Sequence, residues 1–405
     1  MVPDLFPVLV KPFGQLPKLL LWQFRNRLLD LFNGAHASNL TRTNPEINNP
    51  MKLIELHILQ SFPVSCLNRD DVGSPKTAVF GGVNRARLSS QSLKRAIREY
   101  AQDNLPAARF GGQRTKLIVE PLANALKKHG LTDDKSVSEH AANIADKLAK
   151  LDAQSDDLKV GTLIFLAPSE IDSIAKQVAE MLKENPNSKD YEKKIDKFCK
   201  AAGLLDGADI ALFGRMAASL PSLTLEGAAM FGHALSTHKA DNDLDFYSAV
   251  DELKSKSEDA GAGMIGTLEF SSAVYYRYAA INLDMLADAD HLAKLSIEER
   301  KQVVDAFIRA TLQAVPGARK NSMNAHTLPG YVLGTFKSAG QPVQLINAFE
   351  EPVRPKSGLL AESIVQLKQH HEKLKKTWDI TCKTEVAIPD VDINAFSKAL
   401  TNHVI

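Results

Sequence analysis

The 405-residue sequence predicts an α+β fold whose core follows the ferredoxin-like order strand, helix, strand, strand, helix, strand. Two observations support this prediction. Segments with period-2 and with helical hydrophobic patterns follow one another in that order, and a stretch rich in Ala, Lys, Asp and Leu interrupts them between residues 105 and 205. The hydrophobic content of 44% and the charged content of 24% are typical of a globular protein.

The first half of this order is predicted from three short segments. "KLIELHILQS" from residue 52 places Ile54, Leu56 and Ile58 on one side of a strand, with polar residues on the other. A polar loop and the short apolar "TAVF" follow. "SSQSLKRAIREYAQ" then has helical spacing, and Ser89 or Ser90 is a natural N-cap.

The second half is predicted from longer segments. "ADIALFGRMA" and "GTLEFSSAVYYRYAAINL" are predicted as strands, "SIEERKQVVDAFIRATLQAV" as a helix and "GYVLGTFKS" as the last strand. The helical stretch 105–205 is predicted to be an inserted subdomain. The folded body is predicted to begin at Met51, because polar, turn-rich residues separate it from the amphipathic "LPKLLLWQFRNRLLDLF". Residues 1–50 are either an extension without a function of its own or a docking helix for a partner.

The spacing of cysteines and histidines, together with missing motifs, indicates a compartment and disfavours several classes of protein. Cys66, Cys199 and Cys382 lie far apart with no CxxC pair, which is typical of a reducing compartment and predicts a cytoplasmic protein. No apolar run approaches the length of a membrane span. The histidines lack metal-site spacing, and no nucleotide or hydrolase fingerprint is present. We therefore predict neither a metal site nor a cofactor, and enzyme functions are disfavoured.

One segment is far more basic than the rest of the chain. Residues 66–98, "CLNRDDVGSPKTAVFGGVNRARLSSQSLKRAIR", contain seven cationic residues and two acidic ones, whereas the whole chain has a net charge of +1. Such a patch predicts an anionic partner. In "RARLSSQSLKR", helix N-terminal N–H groups, serine hydroxyls and cations together suit a phosphate. The alternative is a capped helix with a solvated basic face.

Two further groups of residues have a functional and a structural interpretation. Asp70 and Asp71 could hold Mg²⁺ together with substrate phosphates, or they could cap the loop and pair with nearby arginines. Met216, Phe246 and Tyr247 could wedge between or stack on splayed bases. Methionine and aromatic side chains are, however, more often part of a hydrophobic core.

Five ordered segments together resemble a known family. "SCLNRDD", "FGGVNRARLSSQSLKRA", "DIALFGRMA", "GTLEFSSAVYYRYAAINL" and "VPGARKNSMNA" are similar to the CasC-type backbone subunit of Cascade, the type I-E CRISPR surveillance complex, over residues 51–405. The resemblance implies a ferredoxin-like (RRM-like) palm, an inserted helical fingers subdomain and a thumb hairpin. The expected organisation is an N-terminal extension (1–50), the first part of the palm (51–104), the fingers (105–205), a strand with the thumb insertion (206–263) and the second part of the palm (264–405).

The resemblance also implies a function. Backbone subunits of this kind are non-catalytic scaffolds that polymerise head to tail along CRISPR guide RNA and hold it for base pairing with target DNA in antiviral defence. A head-to-tail contact that does not close generates a helical filament. The partners expected are guide RNA, target DNA, further copies of the chain and other Cascade subunits, with no membrane.

Site residues follow from the resemblance and from the basic segment. The family's guide-phosphate contacts fall on Arg69, Ser90, Gln91, Lys94 and Arg98. Met216 and Tyr247 fall on thumb positions that wedge at a kink in the guide. The family more often has a Trp-Phe pair where this chain has Phe and Tyr, so either ring could insert. The complete predicted RNA-binding set is Arg69, Lys76, Arg85, Arg87, Ser89, Ser90, Gln91, Lys94, Arg98, Met216, Phe246, Tyr247 and Lys320.

Two other functions remain to be distinguished from this one. Related backbone subunits of type III effector complexes cut target RNA with a loop aspartate, so Asp70 or Asp71 could serve in metal-dependent cleavage. A general RNA-recognition module would instead bind bases on its sheet and would show a sequence preference.

Overall fold

A computed structural model of the protein describes residues 51–155, 158–186, 188–249, 264–354 and 358–405. The predicted N-terminal extension, residues 1–50, lies outside the described residues, as does the tip of the predicted thumb, residues 250–263. Within the described ranges, no helix combines the length and apolar character needed to cross a membrane.

The strands are, in chain order, β1 (Leu53–Ser65), β2 (Thr77–Phe80), β3 (Val83–Leu88), β4 (Gln113–Thr115), β5 (Ile164–Leu166), β6 (Ala229–Phe231), β7 (Ala234–Ser236), β8 (Asp243–Ala249), β9 (Met264–Asn282), β10 (Tyr331–Lys337) and β11 (Thr384–Ile388). The α-helices are α1 (Ser90–Asn104), α2 (Val119–Lys128), α3 (Asp134–Leu148), α4 (Pro168–Glu184), α5 (Ile195–Ala202), α6 (Ala208–Phe213), α7 (Leu283–Leu286), α8 (Ile297–Gln313), α9 (Leu359–Trp378) and α10 (Ile393–Thr401).

The main sheet is antiparallel and has the order β11-β10-β1-β9-β7-β3-β2 in the described residues, with β6 and β8 also pairing with β9. Strand β1 is central, and its Ile54 lies opposite Phe336 of β10 and Ile281 of β9. Strand β9 extends beyond the sheet, where its first residues pair with β8 as an exposed hairpin. The predicted mixed α+β class is confirmed.

Both faces of the sheet are covered. Helices α1, α8 and α10 bury one face in a large apolar cluster, and α9 with the turn Ile346–Phe349 covers the other face. Strand β1 is therefore buried on both sides, including the side predicted to be polar. There Glu55 lies 2.7 Å from the Lys337 ammonium and accepts a hydrogen bond from the Tyr278 hydroxyl, because a buried carboxylate requires such partners.

The residues predicted as a helical insertion form helices α2 to α5 around an apolar cluster of their own, with β4 and β5 as a small two-stranded sheet. The helix predicted at "SIEERKQVVDAFIRATLQAV" is α8, and at its start Ser296 and Glu299 exchange hydrogen bonds as a capping box. The division into palm, fingers and thumb stays a prediction.

The strand predicted at "ADIALFGRMA" is wrong, because residues Ala208–Phe213 form α6. All six residues of α6 are buried, and a segment buried on every side has no periodicity that distinguishes a helix from a strand. The helix ends at Gly214, whose φ of 79° is a conformation that favours glycine. The second strand position of the core is occupied instead by β6 and β7, each only three residues long.

Candidate nucleic-acid interface

A groove runs beside α1. One part, of about 790 Å³, lies between the β1–β2 loop, the exposed side of α1 and residues 316–318, and its walls include Arg69 and Arg95. An adjoining part of about 370 Å³ shares residues 316–318 and reaches Lys320 and His326. We call this surface the α1 groove.

The β1–β2 loop that forms one wall of the α1 groove is held in shape by Asp70. Its carboxylate accepts hydrogen bonds from the backbone N–H groups of Val72 at 3.1 Å and Ser74 at 2.9 Å. The neighbouring Arg69 forms an isolated bridge with Pro75 and keeps its side chain exposed. Asp70 therefore has the loop-capping role that was the structural interpretation of this acid.

The N-terminus of α1 is capped by the protein itself. The Ser89 side chain accepts from the backbone N–H of Ser92 at 3.3 Å, and the Ser90 N–H donates to Nδ1 of His233 at 2.9 Å. The predicted N-cap is thus Ser89. Because these N–H groups already have partners, a phosphate near this end would be bound mainly by side chains, among which Gln91 is exposed.

A second cationic surface lies on the other side of α1, where Lys94 and Arg98 are one helical turn apart. Lys94 lies over the ring of Phe231, with its ammonium 5.3 Å from the ring centroid. Arg98 and Arg114 both stack on Phe165, with guanidinium carbons at 4.5 Å and 4.6 Å from its centroid. We call Lys94, Arg98 and Arg114 the α1 cation cluster.

Asp209 of α6 holds part of the α1 cation cluster in place. Its buried carboxylate accepts from Nε of Arg98 at 2.9 Å and from the N–H of Gly112 at 3.1 Å. Burial lowers the pKa of Lys94, and the positive charge of Arg114 lowers it further. Burial also lowers the pKa of Arg114, and Arg98 acts in the same direction. The cations therefore repel one another, although Asp209 offsets part of this repulsion. A bound anion would relieve the rest.

Arg85 is corrected from an expected RNA contact to a core residue. Its side chain has no exposed surface, and its guanidinium donates to the carbonyl oxygens of Phe80, Ser236, Phe349 and Glu350. A guanidinium enclosed in this way joins β3 to its neighbours and presents nothing to a ligand. It satisfies buried carbonyl groups that would otherwise lack partners.

Three other residues of the predicted RNA-binding set are at least partly exposed. Arg87 donates from Nε to the carbonyl of Thr77 at 3.2 Å, which leaves the rest of its guanidinium toward the surface. Lys76 is half-buried at the start of this strand pair. Lys320 is exposed on the far wall of the α1 groove.

Met216 is held in solvent by a firmly anchored loop. Its neighbour Arg215 is buried and pairs with both carboxylate oxygens of Glu170, at 2.8 Å and 2.9 Å, while Nε donates to the Leu223 carbonyl at 2.8 Å. Ala217 on the other side is also buried, yet Met216 is 82% exposed. Exposure is therefore imposed by the loop, which suits a side chain that contacts a partner.

Phe246 and Tyr247 lie on the exposed β8–β9 hairpin, and neither belongs to a core. Phe246 is 66% exposed opposite Thr267, and Tyr247 is 43% exposed opposite Gly266. A side chain at Gly266 would collide with the Tyr247 ring, so this ring lies across the glycine. Because neighbouring residues of a strand point to opposite faces, the two rings extend from opposite faces of the hairpin.

Three residues beside these surfaces were not predicted as site residues: Arg114, Arg319 and His233. Arg114 comes from β4, and its proximity to α1 depends on folding of the inserted helices. Arg319 is exposed at a positive φ of 53° next to Lys320. Its position in "GARKN" is the one sequence signal that could have identified it.

The sequence and structure were compared with known proteins. The profile of the family described as CT1975-like protein matches residues 54–401. One similar solved structure, titled "CRISPR RNA-guided surveillance complex, pre-nicking", is 27% identical with a TM-score of 0.72, and the match covers 87% of this chain and 100% of the other. Another, titled "CRISPR RNA-guided surveillance complex", is 25% identical with a TM-score of 0.62, covering 87% and 99%.

A search among curated proteins finds no match. The family profile and the two solved structures confirm the resemblance that the five sequence segments predicted.

Proposed function

Because the chain belongs to the CT1975-like protein family, we propose that it is the non-catalytic backbone subunit of an RNA-guided surveillance complex and that it binds guide RNA through the phosphates. The observation that carries this proposal is the α1 cation cluster. Phe165 holds Arg98 and Arg114 side by side, and Lys94 lies one helical turn from Arg98. Asp209 offsets part of their positive charge, and a phosphate would offset the rest.

The core supports a ferredoxin-like palm. If β1, β6 with β7, β9 and β10 are taken as its four strands, their order across the sheet is fourth, first, third, second, with α1 and α8 as the two connecting helices on one face. That is the arrangement of two interleaved βαβ units. Helices α2 to α5 would be the fingers, and the β8–β9 hairpin would be the thumb.

Backbone binding without base readout is supported by the kind of residue at the surface. Arg69, Arg95 and Lys320 line the α1 groove, and cations of this type contact phosphates without selecting a base. Asp70, Glu99 and Asp103 also line it, so the charge of the groove is mixed. We therefore assign the main phosphate grip to Lys94, Arg98 and Arg114, with the groove guiding the adjoining strand.

Head-to-tail assembly is supported by apolar side chains that the fold holds in solvent. Met216 and Phe246 are the clearest of these, together with Leu244, Met264 and Ile265 on the hairpin. In the assembly, a neighbouring copy and the guide RNA would cover them, and the rings or Met216 would wedge at a flipped nucleotide. Target DNA would then pair with the exposed guide bases.

RNA cleavage is the competing function, and the loop geometry is unfavourable to it. Oδ1 of Asp70 already accepts two backbone hydrogen bonds, so this oxygen is committed to the loop. Cleavage of guide-complementary RNA in Mg²⁺ should therefore be absent. If the wild type cuts this RNA and the double variant Asp70→Asn, Asp71→Asn does not, the scaffold proposal fails.

The nucleic acid that co-purifies tests the proposal directly. The chain should be produced together with its CRISPR locus, and the bound RNA should be extracted and sequenced. We expect RNA of uniform, guide-like length whose spacers differ freely in sequence. A mixture of cellular RNA of random length, or RNA that shares one sequence motif, would contradict guide-backbone binding.

A further inference from the structure

Far along the chain from α1, three potential metal ligands converge at the end of α9. His371 of α9, Cys382 of the following loop and Glu385 of β11 place one ligand atom each within 4.8 Å of one another. Nε2 of His371 lies 3.4 Å from a carboxylate oxygen of Glu385. Among the described residues this is the group of His, Cys and acidic side chains whose atoms come close enough to share one ion.

A second observation points to a missing ligand. His371 is only 8% exposed, and its Nε2 atom is buried without a hydrogen-bond partner, since the Glu385 oxygen lies near it but not in hydrogen-bonding geometry. Leaving a buried nitrogen in this state is unfavourable. A metal ion would use the lone pair of this nitrogen.

We propose that His371, Cys382 and Glu385 form a zinc site that joins the C-terminal part of α9 to the start of β11. Thiolate, imidazole and carboxylate are all zinc ligands, and a water molecule would complete four-coordination. The charges of one thiolate and one carboxylate balance Zn²⁺ when the imidazole is neutral. On binding, the Cys382 thiol transfers its proton to solvent and the sulfur bonds to the metal.

Two features of the surroundings bear on the strength of this site. Burial, together with the charge of Glu385, raises the pKa of Cys382 to about 11, so zinc competes with a firmly held proton. The Lys375 ammonium lies 2.9 Å and 3.2 Å from the two oxygens of Glu385 and is a competing cation. The ligands are separated by ten and two residues and lie on three different elements, which is why no zinc-motif spacing is visible in the sequence.

The proposal goes beyond the proposed function, because its ligands lie on α9 and β11 rather than beside α1. It is tested on the full-length, tag-free chain without RNA, after treatment with chelator. Titration with Co²⁺ alone should give one bound ion with a thiolate-to-cobalt charge-transfer band. Cys382→Ser should abolish this band, whereas Cys66→Ala, a change at a cysteine outside the proposed site, should preserve it.

Zinc affinity, measured by competition with a chromogenic chelator, provides the second readout. His371→Gln should weaken binding at least about tenfold. Lys375→Ala should strengthen it, which a misfolded variant cannot imitate. A charge-transfer band that persists in Cys382→Ser, or zinc affinity that is unchanged in both His371→Gln and Lys375→Ala, would overturn the proposal.

Discussion

Lys94 extends from the first turns of α1 to the ring of Phe231, and its ammonium nitrogen lies 5.3 Å from the centroid of that ring. Burial lowers its pKa, so the environment disfavours the charged form that a phosphate would favour. Arg85, nine residues earlier in the same basic segment, is instead satisfied by backbone carbonyl groups. Of these two cations of one patch, Arg85 serves the fold, and Lys94 is the one that we propose binds a phosphate.

The first prediction concerns Lys94. Since this residue contacts a phosphate and not a base in our proposal, Lys94→Ala should weaken the binding of single-stranded RNA equally for all sequences. The log–log salt slope should become shallower by roughly 0.7, the value for one phosphate contact on a single strand. Lys373→Ala, a change at an exposed lysine of α9, is the matched control and should leave affinity and slope unchanged.

A loss of affinity for one RNA sequence only, measured by filter binding or fluorescence anisotropy over a salt series, would show that Lys94 reads bases. That result would favour the general RNA-recognition module over the backbone scaffold.

The second prediction concerns His238 and pH. Its Nε2 accepts a hydrogen bond from the Val274 N–H at 3.2 Å and its Nδ1 donates to the Lys239 carbonyl, so the ring must be neutral in the fold. Burial lowers the pKa of His238, and Arg85 adds to this effect. At a pH below about 6.5, His238 is therefore protonated in the unfolded chain and neutral in the folded chain. The free energy of unfolding falls as pH drops below this value.

Replacing His238 by Gln should remove up to about 1.4 kcal/mol per pH unit from this decline, the value for a single proton. Urea unfolding of wild type and His238→Gln at a series of pH values between about 5 and 7 checks it. An identical pH slope in both proteins would show that His238 does not titrate on unfolding.

At the scale of elements, the sequence correctly predicted the helices and strands that have a distinctive hydrophobic pattern. Strand β1, helices α1 and α8 and strand β10 were all predicted, because their hydrophobic patterns are long enough to be distinctive. Helix α6 was predicted as a strand since it is buried on every side, and β6 and β7 are too short to show a pattern.

Some residues of the candidate site could likewise be recognised from the sequence, and others could not. Charged residues of α1 were recognisable from their density, and Met216 from its resemblance to a family position. Arg114 and His233 were not, because their approach to α1 depends on the folding of distant segments. The burial of Arg85 was equally invisible, since a count of charges contains no information on which side chains the fold encloses.

The third prediction concerns the loop that carries Met216. Arg215 and Glu170 form a buried ion pair, with side chains 5% and 2% exposed. Glu170→Ala should lower the free energy of unfolding by about 3 to 5 kcal/mol, because it leaves the Arg215 charge buried without its partner. The double variant Glu170→Ala, Arg215→Met should recover part of this loss.

Urea unfolding of the two single variants and the double variant measures the coupling as a mutant cycle. Additive losses in the double variant would show that the pair does not hold the loop.

The fourth prediction concerns the exposed side chains. Met216→Ala with Tyr247→Ala should change the free energy of unfolding by only about 0.5 kcal/mol for each site, because both side chains lie at the surface. In the assembled complex it should reduce the periodic reactivity of flipped guide nucleotides, since each stacking contact is worth about 1 to 3 kcal/mol. Leu212→Ala in α6 is the core control and should cost about 2 to 5 kcal/mol.

Thermal unfolding without RNA, combined with chemical probing of the guide in the complex, distinguishes the two roles. A melting temperature lowered as much as in Leu212→Ala, together with an unchanged periodic pattern, would show that neither residue acts at the flipped nucleotides.

At the scale of the whole molecule, the described residues combine a sheet covered on both faces, a helix rich in cations and apolar side chains held in solvent. The family match covers residues 54–401, so these features belong to the part of the chain that the family shares. The proposed zinc site at the end of α9 would stabilise the same body without entering the α1 groove. If copies assemble head to tail along guide RNA, as we propose, the length of the RNA determines how many copies bind.

The most direct test is to measure the mass of the complex on single-stranded RNAs of increasing length. Purified chain, freed of nucleic acid, is mixed with unstructured RNAs of unrelated sequence, and the particles are weighed by mass photometry or sedimentation. The account predicts that mass rises in equal steps of one protein copy for each fixed increment of RNA, whatever the sequence. A complex with one copy per RNA at every length, or steps that depend on sequence, would contradict it.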